Sequence, residues 1–362
     1  MSAEERRAVE LLLQEGGSFF EEGRYADALR AAEKAREGAT PRGDIGLEVR
    51  AVGLEAEALR MLGRDGDALS RYSWILAVAE DPVHARGMAE ERVASAVVTA
   101  FSAWTNSAIF LPAIQVDRLF EVLDAGERFV RGIGKPTWRA GLLHMRATVL
   151  QQLGRVNEAI GFAEEGLALE LRDRAAPGVT LGTRRWGLGD LLCDVERFDE
   201  ARGLYRAVLD DVESGPHDRF VALRGLVRCC LATGDGAGAH TYASDAVRLA
   251  EPMGDDALSL ALADLTDGCL ALGDVTAARV ASDRHMEVTR RHGGAMDLFH
   301  ALRRAAKVAF AEKDAARART FLAEAHPHAE ALDRARDLHV YRAHLDKLRA
   351  RLTALEAGPS PG

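Results

Sequence analysis

Few groups in this chain have the type and spacing that chemistry requires. Residues Arg131 to Thr137 read RGIGKPT. A phosphate-cradling loop needs a glycine where Phe129 stands and a hydroxyl where Pro136 stands, so the segment does not qualify. The glycine-rich GDGAGAH from Gly234 follows no strand pattern and reads as a turn. No G-x-S-x-G nucleophile elbow is present. The four cysteines, Cys193, Cys229, Cys230 and Cys269, lack metal-ligand spacing. Cys229 and Cys230 are adjacent, and neighbouring side chains on a helix diverge by about 100°. Cys230 and Cys269 occupy equivalent apolar positions, where a thiol packs as a small hydrophobe. His339 and His344 are five apart, which does not place two imidazoles on one helix face. His326-Pro327-His328 is expected in a loop before the last helix. No catalytic residue, metal or cofactor is therefore expected.

Composition points to the elements that carry these groups. Apolar residues make up 48% and aromatics only 6%, and the abundance of alanine suits closely packed helices better than sheets. A chain of 362 residues is too long for one core. It needs several domains or a core that grows along one axis. The net charge of −9 and pI near 5.7 argue against a nucleic-acid partner. The acidity is uneven, because twelve Lys/Arg face eight Asp/Glu between Arg303 and Glu356. The opening MSAEERRAVE carries charges where a secretory leader needs an apolar run. A cytoplasmic location with reduced thiols is expected. Val93 to Val116 has no charged residue and is long enough to span a bilayer. It also holds Thr99, Ser102, Thr105, Asn106, Ser107 and Gln115, with Pro112 near its end. That composition predicts a buried helix, a turn and the start of the next helix instead of a membrane span.

One phrase recurs through the chain: a turn, then an alanine-rich helix. It appears as EEGRYADALR from Glu21, LGRVNEAIGF from Leu153, DVERFDEARG from Asp194 and LGDVTAARVA from Leu272. The small residue of the second helix falls at Ala28, Ala68, Ala159, Ala201, Ala239, Ala278 and Ala318, a period near forty with one double gap. The gap implies a degenerate third unit at about 85–131, giving eight units. Gly16, Ala56, Ala147, Gly189 and Ala306 are small residues in the first helix that allow a neighbour close. Gly23, Gly63, Gly154, Gly234 and Gly273 suit the left-handed residue that ends it.

These residues resemble the tetratricopeptide repeat family, in a long bacterial form, since the usual unit is about 34 residues. The resemblance implies an all-α fold: an α-solenoid wound as a right-handed superhelix of about eight helix-turn-helix repeats over 1–328. A single capping helix is expected over 329–356 and a flexible tail over 357–362. Leu348, Leu352 and Leu355 form a row that fits either a cap or a homodimer contact. The family's first helices line a concave groove. Carried over, the groove positions are His144, Thr148, Gln151, Trp186, Asp190, Arg224, Arg228, Asp264, Asp267, Arg303, Arg304 and Lys307. Arg224 and Arg228, four apart, share a helix face and can offer a carboxylate fork beside Trp186, or can pair with Asp190, Asp264 and Asp267. The lysine-asparagine clamp of chaperone-binding members is not reproduced. The expected function is a non-enzymatic scaffold or adaptor for a protein or peptide partner. The alternative is a regulatory sensor whose shape changes with a peptide or small ligand.

Overall fold

The computed structural model describes residues 2–357 except 82, 85, 86, 110, 112, 113, 173–179 and 337–339. Among these residues there are seventeen α-helices and no strand. The order is α1 (Ala3–Glu21), α2 (Tyr25–Ala39), α3 (Ile45–Met61), α4 (Asp65–Glu80), α5 (Glu91–Ala108), α6 (Val116–Gly132), α7 (Ala140–Gln152), α8 (Val156–Arg172) and α9 (Leu181–Asp194). It continues with α10 (Phe198–Asp210), α11 (Pro216–Ala232), α12 (Gly236–Ala250), α13 (Asp255–Leu272), α14 (Val275–His292), α15 (Ala295–Ala311), α16 (Ala315–Arg336) and α17 (Val340–Ala357). Odd-numbered helices up to α15 are first helices of a pair (A) and even-numbered ones second (B). The chain forms two compact units, Met1–Leu191 and Leu192–Gly362. Within each, the heavily contacting helices are sequence neighbours or next-nearest neighbours. This is an α-solenoid built from local contacts.

The fourth residue of nearly every B helix explains the period. Ala28, Ala68, Ala159, Ala201, Ala239, Ala278 and Ala318 all sit there, each 0% exposed. A methyl group is all that fits where two helix backbones close to their shortest separation. In α6 the same place holds Leu119, also buried. The stretch from Ile109 to Gln115 between α5 and α6 is longer than the other A–B turns. Both departures hide the third pair from a search for spaced alanines. The uncharged run from Val93 lies in α5 and the start of α6, with residues 110, 112 and 113 outside the described set. No helix among the described residues is long and apolar enough to cross a membrane.

The A–B turns need one left-handed residue, and Gly23, Gly63, Gly154, Gly234 and Gly273 supply it with φ between 71° and 85°. Glu196 (φ 62°) and Lys313 (φ 61°) take the same role in the fifth and eighth pairs. The residue after it starts helix B in one of two ways. Arg24, Arg64, Arg155 and Arg197 each grip an acid three residues on, at 2.8 Å to Asp27, 2.6 Å to Asp67, 2.7 Å to Glu158 and 2.7 Å to Glu200. Hydrogen bonds from Arg155 and Arg197 hold Glu158 and Glu200 below the usual carboxylate range. Asp235, Asp274 and Asp314 instead accept the backbone N–H of Gly238, Ala277 and Arg317 at 2.8, 2.9 and 2.9 Å. The aspartate satisfies an orphan donor of the first turn directly. The arginine cannot, so there the helix dipole is met by the acid it holds.

The C-terminal end departs from expectation. Residues 329–336 are the last turns of α16, and 340–357 form α17, so one helix over 329–356 is not what forms. The two run antiparallel, with Asp333 accepting from the Tyr341 and Arg342 N–H groups at 3.1 and 3.0 Å and Arg319 meeting Glu356 at 2.5 Å. Pro327 and its flanking histidines lie inside α16 instead of a loop. Ala325 and Ala329, both fully buried, hold the helix on either side, offsetting the roughly 3 kcal/mol that an internal proline costs. Leu345 and Leu352 are buried, and Leu348 and Leu355 partly so, in the cluster containing Phe299, Phe310 and Leu322. The leucine row is thus laid on the α15–α16 core, where an apolar stripe is covered within the chain.

Candidate functional site

Five of the anticipated groove residues fall in the first unit. His144 lies partly buried on α7, and a Cβ at Gly187 of α9 would sit 2.9 Å from its ring. Burial, helped by the Arg184 charge, pushes the imidazole down to about 4, so it is neutral at pH 7 and packs instead of binding an anion. Thr148 spends its hydroxyl on the His144 carbonyl at 3.1 Å. Gln151, Trp186 and Asp190 are partly exposed on α7 and α9. Beneath this face, Arg184 donates to Glu170 at 3.0 Å and to the Ala140 carbonyl at 2.7 Å. It ties α7, α8 and α9 together.

The other seven lie in the second unit, on three successive A helices. Arg224 of α11 meets Asp264 of α13 at 2.6 Å, and Arg304 of α15 meets Asp267 of α13 at 2.9 Å. Arg228 meets Asp194 at 2.8 Å. Arg224 and Arg228 are therefore not a free fork, because each faces an aspartate about one repeat away. Burial raises the Asp264 pKa even though Arg224 and Arg304 pull it down. A carboxylate held above its ordinary value beside a guanidinium is a poorly compensated charge. Arg303 and Lys307, one turn apart on α15, make no ion pair among the described residues. The Arg303 Nε is buried with no hydrogen-bond partner. Burial lowers both pKa values, with Arg304 adding repulsion. On this face Asp267, already paired with Arg304, is the acid that acts on Arg303 and Lys307, and Arg351 of α17 adds a further cation near Lys307.

The thiols converge more than their spacing suggests. Cys193 Sγ lies 3.5 Å from Cys229 Sγ and 3.7 Å from the Tyr205 hydroxyl. The hydrogen bond to Cys193 and burial push the Cys229 thiol far up, which keeps it protonated and unreactive. The ring of Tyr205 presses on Gly225, where a Cβ would come within 2.3 Å. These groups form a packed joint. Among the described residues no cluster of His, Cys, Asp and Glu is arranged to hold a metal. Sequence reasoning missed the arginine clamps, although G-R-x-x-acid is visible in hindsight at Gly23, Gly63 and Gly154.

No family model and no curated protein matches the sequence. Solved structures do match. The apo form of the quorum sensor NprR from B. thuringiensis superposes with a TM-score of 0.59 at 13% identity, covering 95% of this chain and 99% of that one. A Rap protein complexed with competence and sporulation factor gives 0.57 at 14% identity, over 96% and 99%. Aspartyl phosphate phosphatase F from Bacillus subtilis gives 0.50 at 12% identity, over 96% and 95%. At these identities the likeness is one of fold.

Proposed function

We propose that this chain, a tetratricopeptide-type α-solenoid, is a non-enzymatic scaffold or adaptor that takes a protein or peptide partner on the helix-A face of residues 192–362. The observation that carries the reading is the charge imbalance on α13 and α15. Arg303 and Lys307 make no ion pair among the described residues and share Asp267 with Arg304, and the Arg303 Nε is desolvated without a hydrogen bond. A partner's carboxylate would supply the missing acceptor, a charge-assisted bond worth roughly 1.5–3 kcal/mol. The pairs Arg224–Asp264 and Arg304–Asp267 are partly exposed, so a partner can exchange them without opening the core. No nucleic acid and no metal enter this reading.

A second reading, a regulatory sensor for a peptide or small ligand, is favoured by the fold likeness to a quorum sensor and to a Rap protein complexed with competence and sporulation factor. Both readings are tested with the full chain as bait in lysate of its own cells, beside Arg303→Glu/Lys307→Glu. A saturable partner lost at least tenfold by the variant, at unchanged helix content, is expected. Equal capture by both proteins would remove these residues from the site. Small-angle scattering separates the two readings, because a ligand-dependent change of dimensions belongs to the sensor.

A further inference from the structure

A cavity of about 300 Å³ opens on the helix-A side of the first unit, and no anticipated residue lines it. Its walls come from Leu13 of α1, from Arg50, Gly53, Leu54 and Glu57 of α3, from Tyr72 of α4, and from Arg92, Ser95, Ala96, Thr99 and Ala100 of α5. Small side chains create the space. Gly53 faces Ala96, and even an added Cβ there would stand 3.6 Å from the Ala96 methyl.

Its charges do not cancel. Arg50 and Arg92 make no hydrogen bond or ion pair among the described residues. The one acid in the wall, Glu57, is already engaged by Arg60 at 3.0 Å and by the Tyr72 hydroxyl at 2.5 Å. Burial and the neighbouring Arg92 charge push Arg50 below its ordinary pKa, against weaker help from Glu90 and Glu10. The Ser95 and Thr99 hydroxyls lie one turn apart on α5 and likewise carry no side-chain hydrogen bond among the described residues. Two guanidinium groups and two hydroxyls thus share the pocket with the engaged Glu57–Tyr72 pair and an aliphatic wall of Leu13, Leu54, Ala96 and Ala100. Fork-shaped donors of this kind match a carboxylate, and the aliphatic wall matches an apolar body. The volume equals that of about ten water molecules in the liquid.

We propose that this cavity binds a small organic anion, a carboxylate on a compact apolar body, held by Arg50 and Arg92 against the wall formed by Leu13, Leu54 and Ala96. The site lies in the first unit and stands independently of the partner face assigned to the second. Such a carboxylate can come as a free small acid or as the last residue of a peptide.

Calorimetric titration of the full chain tests this with octanoate, its neutral counterpart octanamide, and an acetylated trialanyl-leucine carrying a free carboxyl. Octanoate should bind at least tenfold more tightly than octanamide, since the amide forfeits charge-assisted bonds. Arg92→Gln alters an exposed side chain and leaves the fold intact. It should weaken octanoate about tenfold, and Gly53→Leu, which fills the space, should abolish binding at unchanged helix content. Tighter binding of the peptide acid would assign the site to a chain terminus, and tighter binding of octanoate to a free acid. Equal affinity for octanoate and octanamide, no heat from either acid, or binding that survives Gly53→Leu would overturn the proposal.

Discussion

Arg184 in the first unit is 1% exposed against a Glu170 that is 4% exposed, whereas Arg224 in the second is 32% exposed against an Asp264 at 17%. The same chemistry does different things at these two depths. Burying both ions removes each from water, so either one alone is costly, and the pair fixes three helices in register. At the second site water can replace either partner, so the pair contributes little to stability and can be traded for a ligand's charge. Glu55 stands between the two patterns: its carboxylate is 0% exposed, but Arg36 at 2.6 Å and Arg71 at 2.8 Å, which hold it across α2, α3 and α4, are partly exposed. Arg304–Asp267 repeats the second.

All four tryptophans (Trp74, Trp104, Trp138 and Trp186) lie in the first unit. Tryptophan fluorescence therefore follows that unit and far-UV circular dichroism follows both. The largest effect is expected from Arg184→Ala. It strands Glu170 in the core and should cost about 3–5 kcal/mol, read as an earlier fluorescence midpoint in urea. A loss under 1 kcal/mol would mean that the buried pair does not fix the unit.

Acid should act on the second unit first. Burial pushes His144 in the first unit, and His285 and His300 in the second, down to about 4. The unfolded imidazoles take protons near pH 6.5, so the unfolded state binds protons before the folded one. Stability is then complete above about pH 6.5 and falls between there and about pH 4. With two such groups against one among the described residues, helix signal should drop before fluorescence changes. Coincident titrations would contradict the asymmetry.

Arg224→Ala should cost at most about 1 kcal/mol, since the pair is partly exposed and Arg304 still acts on Asp264. A loss comparable with that of Arg184→Ala would erase the distinction between the units. The smallest effect is a gain. Glu196→Gly should stabilise by about 0.5–1 kcal/mol, because it relieves a left-handed residue at the cost of added chain entropy. No gain in the urea midpoint would show that the Glu196 side chain offsets its own backbone strain.

Much of the fold was legible because its demands are local. A methyl at the fourth place of helix B and a glycine in the turn leave a period that can be counted. The third pair was faint because Leu119 replaces the methyl and its turn is longer. The C-terminal helices were misread because Pro327 is ordinarily a breaker, and only packing on both its sides, invisible in sequence, carries α16 through it. The candidate site was less legible. Arg224 and Arg228 stood out by spacing, but their aspartates lie forty and thirty-four positions away, so pairing depended on how adjacent repeats stack. The cavity at Arg50 and Arg92 needs α3 and α5 side by side, and α5 belongs to the pair with the weakest signature.

Because the heavily contacting helices are neighbours or next-nearest neighbours in sequence, little of the structure waits for distant chain to arrive. Loop-closure entropy is small for each step, so helix pairs can assemble in chain order and quickly. During synthesis each A–B pair can dock on its predecessor once about forty further residues have left the ribosome, a few seconds of translation at roughly 5–20 residues per second. The transient hazard is then one uncovered helix face at the growing end, renewed with every repeat and covered, for the α15–α16 pair, when α17 folds back on it.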